Sequence, residues 1–173
     1  MDNKITVKSA SPADFQIIKN LMLTGLKEDP KAFSVDFEDY NKNSIEWWNS
    51  YISPYVFSLK DKMLLAFEGD TPVGMIGILY DYRSRRTHIA TIVWFYISNN
   101  YRGLGIGKEL LNKAIEDAKS QKMKKITLFV NSQQEKAINM YKKYGFTANG
   151  KLEKELLIGN EYVDTLIFEM LFD

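Results

Sequence analysis

Residues 89–108 read IATIVWFYISNNYRGLGIGK. The first half of this stretch is almost entirely apolar, which is typical of a buried strand, and it covers about half of the roughly 20 residues that a membrane helix needs. Three glycines follow, and beyond them apolar residues recur at helical spacing: Leu110, Leu111, Ala114, Ile115 and Ala118. The stretch therefore predicts a strand, a glycine loop and a helix in immediate succession.

A loop of this kind is suited to binding an anion. Glycines allow positive φ angles and close approach of the backbone, and the N–H groups at the start of a helix point out of it. The helix dipole adds partial positive charge there. Arg102 and Lys108 flank the loop and add full charges. The sequence therefore predicts a site for a phosphate or pyrophosphate.

The spacing of the glycines and their neighbours distinguishes between the known phosphate-binding loops. The Walker A pattern needs Gly where Arg102 stands and Ser or Thr where Glu109 stands. The dinucleotide fingerprint needs a glycine where Lys108 or Leu110 stands. The pattern that fits is Arg-x-x-Gly-x-Gly over residues 102–107, between a strand and a helix. It resembles the pyrophosphate loop of the GNAT superfamily of N-acetyltransferases.

A second stretch, residues 131–146, resembles the other signature of that superfamily, Asn-x-x-Ala-x-x-x-Tyr-x-x-x-Gly-Phe. The matching residues are Ala137, Tyr141, Gly145 and Phe146. The asparagine of the signature is replaced by Gln134, which has the same amide chemistry, and Asn131 is a possible substitute. Two motifs in the family order are more specific than either alone, and the clear resemblance covers residues 89–146.

The resemblance implies that acetyl-CoA lies in a V-shaped gap between two splayed parallel strands, here 91–97 and 125–130. Backbone groups of Phe95 and Ile97 would contact the pantetheine and the acetyl carbonyl. Tyr141 would be the general acid, because a phenol with a pKa near 10 stays protonated at neutral pH. The implied cofactor-binding residues are Phe95, Ile97, Arg102, Gly103, Leu104, Gly105, Ile106, Gly107, Lys108 and Gln134.

No general base is identified. Family members that act on protein N-termini often carry a glutamate at the position of Phe129. Either another carboxylate acts through water, with Glu38 and Asp39 as candidates, or the acceptor is a weakly basic amine. The aromatic residues Tyr40, Trp47 and Trp48 either pack against an acceptor or belong to the core. The single histidine, His88, is expected to lie far from the thioester.

Outward from these motifs, the chain predicts one α/β domain over residues 1–173. An N-terminal strand and helix precede a second helix near 44–52, and β-type runs at 56–59, 63–67 and 73–80 predict an antiparallel meander. The chain ends in a strand, a helix from 134 to 144, and two closing strands near 151–158 and 162–172. We expect a GNAT-like fold, with a mixed, mostly antiparallel sheet that contains a splayed parallel strand pair and is flanked by helices.

Composition excludes several other classes of function. The 173 residues contain no cysteine and one histidine, which excludes thiolate metal sites and a His-rich metal centre. Lys plus Arg is 23 and Asp plus Glu is 22, so the net charge of +1 favours neither nucleic acid nor an anionic membrane as a partner. The N-terminus lacks the features of a signal peptide, and a cytoplasmic protein is expected.

The leading hypothesis is an acetyl-CoA-dependent N-acetyltransferase without a metal. Its acceptor would be a primary amine: a small molecule such as a polyamine or an amino acid derivative, or a peptide N-terminus. The alternative is a non-catalytic acyl-CoA-binding sensor with the same fold, and a nucleotide-binding module is third. The closing strand, 162–172, could pair across a homodimer.

Overall fold

The computed structural model describes residues 5–173, which form five α-helices and seven strands. The strands are β1 (Ile5–Ser9), β2 (Lys62–Glu68), β3 (Thr71–Tyr80), β4 (Ile89–Ile97), β5 (Lys125–Asn131), β6 (Thr147–Ile158) and β7 (Glu161–Leu171). The helices are α1 (Phe15–Glu28), α2 (Phe37–Asn41), α3 (Ile45–Phe57), α4 (Ile106–Ser120) and α5 (Glu135–Lys143).

All seven strands belong to one sheet, in the order β1-β2-β3-β4-β5-β7-β6. Every neighbouring pair is antiparallel except β4 and β5, which are parallel. A parallel pair needs a crossover connection, and here α4 makes it. The expected α/β fold, mixed and mostly antiparallel with one parallel pair, is confirmed.

Two apolar clusters cover the two faces of the sheet. Alternation along β2 separates them: Leu64 and Ala66 belong to one cluster, and Met63 and Leu65 to the other. The first cluster includes the buried side of α4, and the second includes the buried sides of α1 and α3. Among residues 5–173, no helix is long and apolar enough to cross a membrane.

The prediction of a β-type run at 56–59 is wrong, because α3 continues to Phe57. Trp48, Ile52 and Tyr55 are buried at spacings of four and three residues, which is one face of a helix. Burial of that face stabilises the helix by more than the strand propensity of the aromatic and β-branched residues near its end opposes it. Phe57 is 71% exposed, so the apolar run did not mark a buried strand.

Buried tyrosines predict a loss of stability in alkali. Burial raises the pKa of Tyr51, Tyr55, Tyr80 and Tyr141, and it raises the pKa of Tyr96 to about 12. Above a pH of about 10, the unfolded chain loses phenolic protons that the folded chain keeps, so the free energy of unfolding falls as pH rises. Urea denaturation at pH 8, 10, 11 and 12 measures this fall.

Tyr96→Phe is the matched variant for this measurement, because it removes one of these phenols and keeps the ring. We expect the decrease in unfolding free energy between pH 10 and pH 12 to be shallower in this variant, by at most about 1.4 kcal/mol per pH unit. Equal stability at pH 8 and pH 11 in the unmodified protein would contradict the prediction.

Candidate functional site

The parallel strands β4 and β5 are paired with each other over only part of their length. Pairing runs from Ile89 opposite Lys125 to Thr91 opposite Thr127 and then stops. Beyond that point β4 bulges, because two residues of β4 stand where β3 has one between the pairs Met75–Tyr96 and Gly77–Val93. Trp94, in the bulge, has a φ of 48°. The bulge bends β4 away from β5 and opens a V-shaped gap.

Two glycines of β3 make room for the bent strand. A Cβ at Gly77 would lie 2.8 Å from Cγ2 of Val93, and a Cβ at Gly74 would lie 2.9 Å from the carbonyl oxygen of Tyr96. Both distances are too short for any side chain at these positions. The shape of the gap therefore depends on glycine at both positions.

The gap forms a cleft of about 470 Å³, here called the strand cleft, and its walls come from β4, β5, α5 and the glycine loop. Of the residues predicted to bind a cofactor, those that line it are Phe95, Ile97, Arg102, Gly103, Gly105, Gly107, Lys108 and Gln134. Tyr141 lines it as well. The structure thus brings together residues from two motifs that the sequence separates by a helix and a strand.

The glycine loop opens directly into α4. Gly103 and Gly105 have φ angles of 81° and 83°, and a Cβ on either would meet nothing within 4 Å. The first intrahelical bond runs from the N–H of Glu109 to the carbonyl of Gly105, at 3.1 Å. The N–H groups of Ile106, Gly107 and Lys108 therefore precede the hydrogen-bonded turns and are free for a ligand at this end of the helix.

Two of the predicted loop residues contribute no side chain to the strand cleft. The side chain of Ile106 is 2% exposed and packs in the core, so only its backbone remains available to a ligand. The side chain of Leu104 is 64% exposed and lies outside the cleft lining.

Asp29 links the two sides of the cleft mouth, a contact that the sequence did not indicate. Its Oδ2 lies 3.5 Å from the guanidinium of Arg102, and its Oδ1 accepts a hydrogen bond of 3.2 Å from Gln134. Arg102 also donates from Nε to the carbonyl of Ile97, at 2.9 Å. The charge of Arg102 is therefore shared with a carboxylate of the same protein.

The alternative amide, Asn131, has a structural role. It is 4% exposed, donates to the carbonyl of Lys31 at 3.0 Å, and accepts from the N–H of Gln133 at 2.8 Å. These bonds attach the segment after α1 to the end of β5. Gln134, which lines the cleft, is the better placed of the two amides to contact a ligand there.

Tyr141 stands on α5 with its ring enclosed by aromatic neighbours. Its ring centroid lies 5.8 Å from that of Phe146, 6.1 Å from Phe168 and 6.4 Å from Phe95. The residue is 7% exposed, and burial raises the pKa of its hydroxyl. The phenol therefore keeps its proton throughout the neutral range.

A second cavity of about 430 Å³, here called the aromatic pocket, adjoins the strand cleft. Phe33, Trp94 and Phe129 line both cavities, so the two meet at the bulge of β4. Three tyrosines, Tyr40, Tyr51 and Tyr55, form much of the remaining wall. One carboxylate, Glu155 of β6, also lines this pocket and was not identified from the sequence.

The carboxylates suggested from the sequence lie elsewhere. Glu38 and Asp39 are on α2 and line neither cavity, and Asp39 pairs with Lys42 at 2.7 Å. His88 is exposed and also lies outside both linings. Among residues 5–173, no group of three or more His, Asp or Glu side chains is placed to hold a metal ion.

The aromatic residues singled out from the sequence divide between the core and the pocket. Trp48 is fully buried in the cluster beneath α1 and α3. Trp47 stacks on Tyr51 with the ring centroids 4.8 Å apart and 10° between the planes. Tyr40 lines the aromatic pocket directly.

Comparison with known proteins agrees with this geometry. The family model described as Acetyltransferase (GNAT) family matches residues 23–146. A relative named spermidine N(1)-acetyltransferase, from Vibrio cholerae, is 25% identical over 171 residues, covering 95% of this chain and 91% of the relative.

Solved structures share the fold. A GNAT-family acetyltransferase from Streptococcus pneumoniae superposes with a TM-score of 0.87 at 24% identity, over 98% of this chain and 100% of the other. The structure of yncA from Salmonella typhimurium with its cofactor acetyl-CoA superposes with a TM-score of 0.77 at 18% identity, over 99% and 95% of the two chains. The family match spans most of the chain and contains both motifs, and the chain therefore belongs to the GNAT family of acetyltransferases, enzymes that take their acetyl group from acetyl-CoA.

Proposed function

We propose that this protein transfers the acetyl group of acetyl-CoA to a primary amine, with the strand cleft as the donor site and Tyr141 as the proton donor. The observation that carries the proposal is the meeting of the two cavities at the bulge of β4. A donor held along the strand cleft and an acceptor in the aromatic pocket would share the walls formed by Phe33, Trp94 and Phe129.

The glycine loop fits a pyrophosphate. The space above Gly103 and Gly105 is open, and the N–H groups of Ile106, Gly107 and Lys108 precede the first helical hydrogen bond. The dipole of α4 favours negative charge at this end, and the side chain of Lys108 lines the same cleft. A pyrophosphate here would receive backbone hydrogen bonds without displacing any side chain of the loop.

The reaction forms a bond between the amine nitrogen and the acetyl carbon, and it breaks the thioester C–S bond. The departing thiolate takes up a proton, and the amine loses one. We assign the first proton to Tyr141, whose hydroxyl is protonated at neutral pH because burial raises its pKa. Backbone groups of Phe95 and Ile97 remain the predicted contacts for the acetyl carbonyl and the pantetheine arm.

The second proton, from the amine, cannot be taken up by a carboxylate at residue 129, because that residue is Phe129. Phe129 is 53% exposed. Glu38 and Asp39 lie outside both cavities, so neither is placed to act as the base. An alkyl amine with a pKa near 10.4 is only about 0.04% neutral at pH 7. We propose that the neutral fraction of the amine reacts and that water carries the proton away.

The chemistry of the reaction limits the class of acceptor more than sequence similarity to any relative does. The relative from Vibrio cholerae is named for spermidine, which makes a polyamine one candidate beside other small primary amines and peptide N-termini. A cytoplasmic location and a homodimer stay predictions. The expected pairing of the closing strand across a homodimer is wrong, because β7 lies between β5 and β6 and is paired with both.

Calorimetric titration with acetyl-CoA, with ATP as the parallel control, tests the donor site without knowledge of the acceptor. We expect saturable binding of acetyl-CoA in the micromolar range, about −8 kcal/mol, and none of ATP. Thiol release with a panel of amines then tests transfer. Binding without thiol release for any amine would favour the acyl-CoA-binding sensor, and absence of acetyl-CoA binding would overturn both functions.

A further inference from the structure

In the part of the chain that the structure describes, six aromatic side chains line the aromatic pocket: Phe33, Tyr40, Tyr51, Tyr55, Trp94 and Phe129. The ring centroid of Trp94 lies 5.2 Å from that of Phe33 and 5.8 Å from that of Tyr40, and Tyr51 adds a third ring 5.5 Å from Tyr40. At about 430 Å³, the pocket is in the range that holds a small organic molecule. Rings in this arrangement favour an apolar or aromatic body and also attract a cation.

Hydrogen bonds join three polar groups of this wall. Nε1 of Trp94 donates to the hydroxyl of Tyr51 at 3.0 Å, and the hydroxyl of Tyr40 donates to the same oxygen at 3.3 Å. Burial raises the pKa of Tyr51, so this hydroxyl stays neutral. These three side chains therefore contribute no formal charge to the pocket.

Glu155 is directed to the pocket by an irregularity in β6. Between the pairs Leu152–Thr165 and Leu156–Val163, β6 has three residues where β7 has one, Asp164. Such a bulge changes the direction in which a side chain points. Glu155 lies in this bulge and lines the pocket.

The bulge is held in place by a side chain of the facing strand. Oδ1 of Asp164 accepts a hydrogen bond of 2.8 Å from the N–H of Lys154, whose φ is 52°. Oδ2 of Asp164 pairs with Lys151 at 3.1 Å, and these contacts lower the pKa of Asp164. Backbone strain that is stabilised by the hydrogen bonds of a neighbouring carboxylate is often found at functional sites.

Charge in the pocket has one sign. Among residues 5–173, Glu155 is the only charged residue that lines it. An acceptor with its own carboxylate would bring a second negative charge to a pocket with no cation to pair with it, which is unfavourable. An acceptor that arrives as an ammonium ion on an apolar body suits both the rings and Glu155.

We propose that the acceptor is a primary amine on an apolar, ring-bearing body without a carboxylate, and that Glu155 attracts its ammonium form. This inference rests on the proposed function, because it names the acceptor for the same site. Glu155 acts as a specificity residue here, and the chemical step is still assigned to Tyr141.

Three amines separate the possibilities: 2-phenylethylamine, phenylalanine, which adds only a carboxylate to the same body, and spermidine, which has several charges and no ring. Thiol release should give 2-phenylethylamine a kcat/KM at least 10-fold above the other two. Glu155→Gln should raise its KM about 10-fold and leave kcat nearly unchanged. Glu153→Gln, in the same bulge but paired with Lys151, is the matched control and should change neither.

A direct titration with 2-phenylethylamine in the presence of CoA measures the pocket without turnover. Binding that Glu155→Gln weakens about 10-fold, and Glu153→Gln leaves unchanged, would support the binding of a ring-bearing amine beside Glu155 even if no thiol is released. Equal affinity in the unmodified protein and Glu155→Gln, or a preference for phenylalanine or spermidine, would overturn it. Either result would leave the proposed acetyl transfer standing if thiol is still released.

Discussion

Gly105→Asp is expected to lower the affinity for acetyl-CoA by at least about 100-fold, or about 2.7 kcal/mol, while the fold is kept. A Cβ at this position meets no atom within 4 Å, so the new side chain enters open space at the start of α4. That space is where the N–H groups of the helix end are available to a pyrophosphate. A carboxylate there would occupy the site and repel the ligand. Calorimetric titration with acetyl-CoA measures the loss.

Two control variants isolate the cause. Gly159→Asp introduces the same side chain at a position with a φ of 62°, also with nothing within 4 Å, in the turn between β6 and β7 and outside both cavities. It carries a similar backbone strain and should bind acetyl-CoA normally. Gly105→Ala adds a methyl group without charge and should lose less affinity than Gly105→Asp. Normal affinity in a folded Gly105→Asp protein would place the pyrophosphate elsewhere.

Local pattern was enough to predict the strand, the glycine loop and the helix start that border the strand cleft. A strand, a glycine loop and the start of a helix are consecutive in the chain, so the position of Gly105 relative to α4 follows from sequence spacing alone. The resemblance around Tyr141 predicted a second wall, and α5 supplies it. Backbone groups dominate this part of the site, and their geometry depends on secondary structure more than on distant side chains.

Several contacts around the two cavities are not determined by sequence spacing. Asp29 meets Gln134 across 105 positions of the chain, and nothing in the segment after α1 indicates that partner. Glu155 reaches the aromatic pocket only because β6 bulges, and the bulge depends on Asp164 in the next strand. Glu38 and Asp39 are carboxylates, as a general base requires, but they line neither cavity. A sheet register that alternation alone predicts would not contain that bulge.

Tyr141→Phe should lower kcat on the order of 100-fold and leave the affinity for acetyl-CoA within about twofold. The change removes one oxygen and keeps the ring that packs against Phe95, Phe146 and Phe168, so the fold and the cleft wall should persist. Steady-state thiol release gives kcat, and calorimetric titration gives the affinity. Tyr144→Phe, on the next turn and outside the cleft lining, is the matched control.

The pH dependence separates a proton donor from a structural tyrosine. Burial raises the pKa of Tyr141 above that of a free phenol, so the donor stays protonated and should cause no fall in rate below a pH of about 10. The rate of the unmodified protein should therefore rise with pH as the amine loses its proton. If water replaces Tyr141 as the donor in Tyr141→Phe, the rising limb should remain at a lower rate. An unchanged kcat in Tyr141→Phe would instead mean that the thiolate leaves without this hydroxyl, and Tyr141 would then be a wall residue of the strand cleft.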